Sequence, residues 1–443
     1  MRGPGIFGFD GDCRDSRSSL SLISTMTPPN SLIEKVFFWG SLSPYVLYFI
    51  GLGPVAPLLL AWPLIVLAFF TWLRDGIRPP LLAVVWCLSC TGILVEELLS
   101  LYMHGLGFKH IPWWFLTYAL GAFLPLVGGL IRPAVIASAA TLLGVQTLIY
   151  CLVAFVLTGA QILPLIEYKA LIPSSLFGNK ELFSVHFLAP AYRIDQEWRL
   201  VAFTPYAPFA GAMAIMFLML TLVVKNSLLK WIGVIGWVLL LVCTYSRMGM
   251  LASFTCVMIY VIVGFGRRYF FLATGAGILA VAALTGPLLN FSEKAASAVH
   301  SARLNSSQDR ENLRAIAFEN WLYGDRAVLG AGETVPGSQI VNQVYIGDLD
   351  SLGAMLFLRG AVGFCFTVAP ILFTWVFGMS GGTHPYYRGV LCIATALMFY
   401  SYSQSLKDLF VYFWPIFVFI GAVAFRDRDR VSSPVLQPAL LTP

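Results

Sequence analysis

The hydrophobic pattern of this chain is a series of long apolar runs separated mostly by short polar connections. A helix needs about 20 apolar residues to cross the hydrocarbon core of a bilayer, and runs of that order recur along nearly the whole sequence. The pattern therefore predicts an all-α, polytopic membrane helix bundle. We expect about twelve spans, at roughly 36–53, 54–73, 80–103, 113–131, 134–158, 203–224, 231–245, 249–266, 269–289, 351–377, 389–405 and 409–425.

Two polar stretches interrupt this series. The first polar loop covers about 159–202, and the second polar loop covers about 290–350. The composition supports the membrane class, since 58% of residues are hydrophobic and 11% are charged. Such values exclude an ordinary soluble domain.

The basic residues indicate the orientation of the bundle. Short cytoplasmic connections carry an excess of Lys and Arg, whereas long translocated loops escape this rule. We therefore expect both termini in the cytoplasm, with a disordered tail at 1–35 and a second tail at 426–443, and both polar loops outside. The basic positions that fall on the cytoplasmic side are Arg74, Arg78, Arg132, Lys225, Lys230, Arg267, Arg268, Arg388, Arg426, Arg428 and Arg430.

Three classes of site are disfavoured by the sequence. The net charge of +6 is spread over these connections and forms no basic domain, so we expect no nucleic-acid partner. The eight cysteines lie outside both polar loops, which disfavours disulfides and thiolate metal sites there. The five histidines form no metal-ligand spacing, and we expect neither a metal nor another cofactor.

An arginine stands at the junction of two predicted spans, in the sequence Tyr245-Ser246-Arg247-Met248. Arginine is costly at such a position unless it reaches water or a partner. Arg247 could snorkel to the interface as a structural residue. It could equally direct its fixed donor fork at a diphosphate, with Ser246 beside it.

The second polar loop contains a predicted helix that starts near 305. Ser306 or Ser307 could cap it, and Arg310 and Arg314 share a face because they are four residues apart. These two arginines suit a diphosphate, but they suit surface pairing with nearby acids as well. An apolar stripe could lie on the membrane surface or on neighbouring spans; it comprises Leu313, Ile316, Ala317, Phe318, Trp321 and Leu322.

Further candidates border the predicted spans. Asp348 and Asp350 precede the tenth span, with Arg359-Gly360 about two turns further on. They could act as a general base or orient a sugar hydroxyl, or they could simply end the loop. In the first polar loop, Trp198 could stack on a sugar ring or belong to an interfacial aromatic belt, and Arg199 follows it.

An acidic pair, Glu96-Glu97, lies near the outer end of the third predicted span. Adjacent positions on a helix point about 100° apart, so at most one of the two carboxylates is expected to face any one site. The pair could supply a counter-ion for arginines or sit at the water-exposed rim.

Taken together, these residues resemble the O-antigen ligase and polymerase superfamily of bacterial envelope glycosyltransferases. The similarity covers about 190–365. Its order is an arginine in the first polar loop, a Ser-Arg pair at a helix junction, an arginine opening an amphipathic helix, a Gly-x-Gly turn, and a polar pair before a span that contains a glycine. These are Arg199, Ser246-Arg247, Arg310 through Trp321, Gly330-Ala331-Gly332, and Asp350-Ser351 with Gly360.

The resemblance implies a GT-C-like enzyme in the bacterial inner membrane. It implies transfer of a glycan from undecaprenyl diphosphate at the periplasmic face without a metal, with a chain-length regulator and a flippase as partners. Many ligases carry a histidine where this chain has Leu349, so a polymerase of lipid-linked repeats is favoured over a ligase. The implied catalytic residues are Arg247, Arg310 and Asp350, and the implied substrate-binding residues are Arg199, Ser246, Arg314, Trp198 and Asp348.

A transporter or flippase is the alternative from another functional class. About twelve spans suit many carriers, but carriers place charged or broken helices near the bilayer midplane. Most charges here are expected in the loops, and no internal repeat is evident. Both features disfavour the transporter interpretation.

Overall fold

The fold is known from a computed structural model. It describes residues 26–53, 55–103, 111–160, 167–169, 184–186, 188–189, 199–225, 227–266, 304–324, 327–332, 335, 346, 351–401 and 406–432. The described part is mostly helical, as the sequence predicts. The predicted span at 269–289 lies outside it, and so do most of residues 1–35 and 433–443 of the predicted tails.

Fourteen described helices follow one another along the chain, with four short strands after the sixth. The first six helices are α1 (Leu32–Leu42), α2 (Pro44–Phe49), α3 (Ala56–Asp75), α4 (Leu81–Met103), α5 (Ile111–Val127) and α6 (Pro133–Gly159). The strands are β1 (Glu167–Lys169), β2 (Ser184–His186), β3 (Leu188–Ala189) and β4 (Arg199–Leu200). The remaining helices are α7 (Ala207–Val223), α8 (Leu228–Cys243), α9 (Arg247–Phe265), α10 (Leu304–Leu322), α11 (Ser351–Ser380), α12 (Pro385–Ser401), α13 (Leu406–Tyr412) and α14 (Trp414–Ser432).

Several helices are long and apolar enough to cross a membrane. In the described part these are Pro57–Asp75, Leu81–Met103, Pro133–Gly159, Met248–Phe265 and Met355–Ser380. Shorter apolar helices lie at Phe115–Leu130, Ala207–Val223 and Leu228–Cys243. The protein is therefore a membrane-embedded helical bundle.

Prolines divide two of the predicted spans. The run at 36–53 is split between α1 and α2 at Pro44, and the run at 409–425 is interrupted at Phe413, two residues before Pro415. Proline lacks the N–H that continues a helix, and its ring clashes with the preceding turn. Each of these apolar runs therefore forms two helices.

The helix at the centre of the bundle, α7, is enclosed by other helices. Helix α7 is buried along almost its whole length, which is typical of a helix enclosed by others. Helices α6 and α8 approach closely at small residues, because a Cβ on Gly236 would lie 2.0 Å from the carbonyl oxygen of Gly144. Such contacts drive packing where burial from water contributes little. Outward faces carry exposed apolar side chains, for example Phe70 of α3 and Phe254 of α9.

One end of the bundle, called the basic end below, gathers cations that satisfy helix-terminal carbonyls. The Nζ atom of Lys230 donates to the carbonyls of Leu222 and Val224 at the end of α7, at 2.9 and 2.8 Å. Arg388 donates to the carbonyl of Tyr260 near the end of α9, at 3.2 Å. Positive charge is favourable at these carboxyl termini.

Contacts between helices show that two further cations, Arg132 and Arg426, lie at the same end. Gly389 of α12 faces Val223 at the end of α7, and Arg426 of α14 stacks on Tyr386 at the start of α12. Gly129, just before Arg132, packs on Phe425. Four of the basic residues that the sequence assigns to one side of the membrane thus lie at one end of the described bundle; they are Arg132, Lys230, Arg388 and Arg426.

The start of α1 is fixed at the basic end by an ion pair. Glu34 is buried and its carboxylate accepts from Arg132 through Nε at 2.7 Å and Nη2 at 2.8 Å. Arg132 also donates to the carbonyl of Pro28. Residues 28–34, which the sequence assigns to a disordered tail, therefore form part of the bundle, and α1 begins four residues before the predicted span.

This pair predicts acid sensitivity. Burial opposes ionisation of Glu34, but hydrogen bonds from Arg132 and from the amide of Asn30 lower its pKa from 4.5 to about 2. The stabilisation is complete above pH 4.5 and is lost as pH falls toward about 2. We expect Glu34→Gln to lower the melting temperature in detergent near neutral pH. The melting temperature of this variant should also fall less than that of the wild type between pH 4.5 and about 2. Glu319 is exposed, so Glu319→Gln should keep the wild-type dependence of the melting temperature on pH.

Candidate functional site

Helix α11, which spans Ser351–Ser380, is interrupted at Gly360. The backbone there has φ 60° and ψ −168°, which is far from helical. We call this position the helix break. An interruption inside a membrane leaves backbone N–H and C=O groups without helical partners, each costly unless another group satisfies it.

A turn from the second polar loop satisfies these groups. Residues 327–332, called the docking turn below, lie against the helix break. Two amides of the turn donate to carbonyls before the break, and two amides after the break donate to carbonyls of the turn. The bonds are Ala331 N to Phe357 O at 2.7 Å, Gly332 N to Leu358 O at 2.9 Å, Ala361 N to Ala327 O at 2.9 Å and Val362 N to Val328 O at 3.2 Å.

Glycines make this approach possible. Gly330 has φ +68°, and a Cβ on it would lie 2.3 Å from the backbone nitrogen of Arg359. Gly360 has φ +60°, and its Cβ would lie 2.3 Å from the carbonyl oxygen of Val328. The Gly-x-Gly turn and the later glycine of the sequence pattern therefore meet in one structural unit.

Helix α10 is packed onto the same unit. Leu313 and Ala317 are buried against Ala331 and Phe357, and the indole of Trp321 donates to the carbonyl of Ala327 at 2.8 Å. The predicted helix is therefore present, with half of its apolar stripe on neighbouring residues. Phe318 and Leu322, also in the stripe, are about half exposed.

The predicted cap of α10 is wrong. The helix begins at Leu304, so Ser306 and Ser307 lie inside its first turn instead of preceding it. Asp309 and Arg310 consequently fall in the second turn. The physical reason is that serine also tolerates early helical positions, so a serine pair does not fix the first residue of a helix.

A buried group of polar side chains lies beside the helix break. We call Glu96, Glu97, Tyr118 and Arg359 the polar cluster. The Nη2 atom of Arg359 lies 2.6 Å from Oε1 of Glu97, and their side chains are only 11% and 9% exposed. Arg359 also donates to the hydroxyl of Tyr118 and lies 5.1 Å from the centre of its ring. One of the two adjacent acids thus acts as a counter-ion, as the sequence allows.

Glu96 has a different environment from Glu97. It is 1% exposed, and neither of its carboxyl oxygens has a hydrogen-bond partner among the described residues. Gly363, one turn after Arg359, makes room for it, because a Cβ there would lie 2.8 Å from Oε2 of Glu96. Both acids are therefore enclosed, so neither lies at a water-exposed rim.

Ser246 lies at the junction of α8 and α9. Its hydroxyl accepts from the amide of Gly249 at 3.1 Å, so it is the N-cap of α9. A Cβ on Gly211 would lie 2.8 Å from Cβ of Ser246 and 3.2 Å from the hydroxyl of Tyr400. Tyr245 precedes it with φ 48°, which is an unusual conformation for a tyrosine.

Loss of this cap should be measurable. We expect Ser246→Ala to destabilise the protein by about 1 kcal/mol, because the amide of Gly249 loses its acceptor. Ser246→Asn restores a capping oxygen, although the larger asparagine side chain has little room at this buried position. Thermal melting in detergent would show the loss, and an unchanged melting temperature in Ser246→Ala would contradict the capping role.

The other predicted site residues are placed only in part. Arg247 is the first residue of α9, and Arg310 and Arg314 belong to α10, but their side chains lie outside the described part. Arg199 begins β4, where it pairs with Ala189 of β3. Trp198, Asp348 and Asp350 lie outside the described residues altogether.

The polar cluster itself was not identified as a unit from the sequence. Glu97 and Arg359 were each visible as charges in apolar runs, but their pairing depends on contact between α4 and α11. The sequence does not indicate a polar contact for Tyr118, because tyrosines are common in apolar runs. Among the described side chains, no group of three or more His, Cys, Asp or Glu could hold a metal ion.

Ser246 and the docking turn lie at the end of the bundle opposite the basic end. Helix α11 runs from the helix break to Phe377, which packs on Tyr387 at the basic end with ring centres 5.2 Å apart. Helix α12 then returns to Tyr400 beside Ser246. The chain matches no protein-family model, and no curated protein is significantly similar to it.

Proposed function

We propose that this protein polymerises lipid-linked oligosaccharide repeats, transferring a growing glycan from a lipid diphosphate onto an acceptor repeat. The observation that carries the proposal is the unit formed by α10, the docking turn and the helix break. It holds the backbone that bears Arg310 and Arg314 at the same end of the bundle as Ser246 and Arg247. This is the order of elements in which the sequence resembles the O-antigen polymerase superfamily.

The chemistry fits arginines on rigid elements. An acceptor hydroxyl attacks the anomeric carbon, the bond to the diphosphate breaks, and negative charge develops on the leaving oxygen. Preorganised guanidinium groups stabilise that charge, and we assign this role to Arg247 and Arg310. Asp350 takes the hydroxyl proton as general base, while Arg199, Arg314, Asp348, Trp198 and Ser246 bind substrate.

The orientation follows from the charges. We propose that the basic end faces the cytoplasm, following the positive-inside rule. The docking turn, α10 and Ser246 then face the periplasm of a bacterial cell. About twelve spans would cross the inner membrane, one of them at 269–289. The lipid tail would lie between spans open to the bilayer.

Deleting the gene and sizing the lipid-linked glycans would test the proposal. Single repeats that accumulate on the carrier support a polymerase. Arg247→Ala and Arg310→Ala should each reproduce the deletion phenotype while the protein stays in the membrane, because each removes charge stabilisation worth about 3–4 kcal/mol at the transition state. Gel separation and mass spectrometry would measure the distribution of lengths.

A matched control is available at the basic end. Arg74 is exposed and pairs with its neighbour Asp75, so Arg74→Ala should leave full-length polymer. Full-length polymer from both Arg247→Ala and Arg310→Ala would contradict the proposal. Full-length glycan that stays on the carrier after deletion would indicate a ligase that passes glycan to lipid A core or to protein.

A transporter or flippase is the second candidate, and one observation favours it. The sequence places most charges in loops, yet Glu96, Glu97 and Arg359 are buried within spans beside a broken helix. Such arrangements are found at the binding sites of carriers. Lipid-linked repeats trapped on the cytoplasmic face of the deletion strain would favour this function over transfer.

A further inference from the structure

The polar cluster contains more acid than base. Among the described side chains, Arg359 and Glu97 are the charged groups that act on Glu96. From α13, Asp408 is the acidic group that acts on Tyr118. If Glu96 and Glu97 were both ionised, one guanidinium would face two carboxylates and the cluster would carry a net negative charge.

An uncompensated charge at this depth is costly. Both acids are enclosed by α4, α5 and α11, with Glu96 1% and Glu97 7% exposed. Burying an unpaired carboxylate costs several kcal/mol even after relaxation. The cluster therefore requires one more positive charge than its described side chains supply.

The geometry shows which acid needs it. Glu97 has the guanidinium 2.6 Å from Oε1 and is the ionised partner of Arg359. Oε2 of Glu96 faces Gly363, and neither carboxyl oxygen has a hydrogen-bond partner among the described residues. A carboxyl group in that position is stable only when it is neutral.

We propose that the polar cluster is a proton-binding site, in which Glu96 carries one proton taken from water while Glu97 remains the counter-ion of Arg359. The site does not depend on whether the bundle transfers glycans or moves lipids. Because the side chain of Glu96 lies between α4 and α11, its protonation affects how these two helices pack. Glu96 in its neutral form lets α11 pack on α4 at Gly363, so release of the proton favours separation of these helices beside the docking turn.

Infrared spectroscopy of the full-length protein in lipid nanodiscs tests this directly. Exposed carboxyl groups are ionised at neutral pH, so the C=O stretch of a protonated carboxyl reports only enclosed ones. We expect the band in the wild type, its loss from Glu96→Gln, and its retention in Glu319→Gln, which changes an exposed acid on α10. Glu97→Gln should also lose the band, because Glu96 must then ionise to pair with Arg359.

The reverse change should strengthen the band. Arg359→Gln removes the cation, so both acids become protonated and the intensity rises about twofold relative to the wild type. If that variant fails to fold, the loss of the band from Glu96→Gln and its retention in Glu319→Gln still decide. A wild-type spectrum without the band, or a band unchanged by Glu96→Gln, would overturn the proposal. A band that disappears on adding sodium or potassium would also overturn it, by assigning the charge to a metal cation.

Discussion

Replacing Gly330 with alanine is expected to remove most of the folded protein from detergent extracts. The new Cβ would lie 2.3 Å from the backbone nitrogen of Arg359 and 2.3 Å from the carbonyl carbon of Leu358. No side chain can rotate away, because both neighbours are backbone. Relief requires the docking turn to leave the helix break.

The expected cost combines three effects. A left-handed alanine costs about 1–2 kcal/mol, overpacking costs about 1–3 kcal/mol, and undocking exposes four backbone hydrogen bonds worth about 1 kcal/mol each. If the turn stays docked the first two terms apply, and if it undocks the third applies, so at least about 2 kcal/mol is lost from a total of about 5–15 kcal/mol. Gly360→Ala should behave alike, since its Cβ would meet the carbonyl oxygen of Val328.

A substitution at another glycine with positive φ separates the cost of the steric clash from the cost of the left-handed backbone. Gly382 has φ +61°, and a Cβ on it would meet no atom within 4 Å. Gly382→Ala should therefore lose only the left-handed term, about 1–2 kcal/mol. The yield of monodisperse protein on size-exclusion chromatography and the melting temperature would measure both. Equal losses of yield and melting temperature in Gly330→Ala and Gly382→Ala would show that the docking turn contributes little to stability.

Neutralising Arg359 is expected to be the most damaging change to the polar cluster. Removing one partner of a buried ion pair costs about 3–5 kcal/mol, because the remaining carboxylate loses its counter-ion and must take up a proton. Arg359→Gln should lower the melting temperature sharply. The double variant Glu97→Gln/Arg359→Gln should recover part of the loss, since amide groups can hydrogen bond to each other without a desolvated charge.

An exposed pair provides the control for this cycle. Arg74 and Asp75 lie 2.7 Å apart with side chains 77% and 40% exposed, and such pairs contribute about 0–1 kcal/mol. Arg74→Gln should leave the melting temperature nearly unchanged. If Arg359→Gln and the double variant melt together, then Glu97 and Arg359 are not energetically coupled.

Local signals predicted much of the fold. Helices α4, α6 and α9 lie within about four residues of their predicted spans, because an apolar run bounded by polar or glycine-containing connections defines a spanning helix by itself. The grouping of basic residues at one end was also predictable. Each of these features depends on neighbours in sequence or on a summed property of the connections.

Features that depend on distant contacts were not predictable in the same way. Gly360 is one glycine among many in apolar runs, and nothing near it in the sequence indicates that α11 breaks there. The break is stable because the docking turn, which precedes it by about 30 residues, supplies the missing backbone partners. The pairing of Glu97 with Arg359 likewise requires α4 and α11 to be adjacent.

The helix break also constrains how the protein can be made. During synthesis, residues 351–380 leave the ribosome after the docking turn has already emerged. Their backbone groups at Gly360 are satisfied when that turn docks on the helix break, and each unsatisfied group in lipid costs several kcal/mol. Insertion of this span is thus tied to docking of the turn, so α11 and the docking turn assemble as one unit.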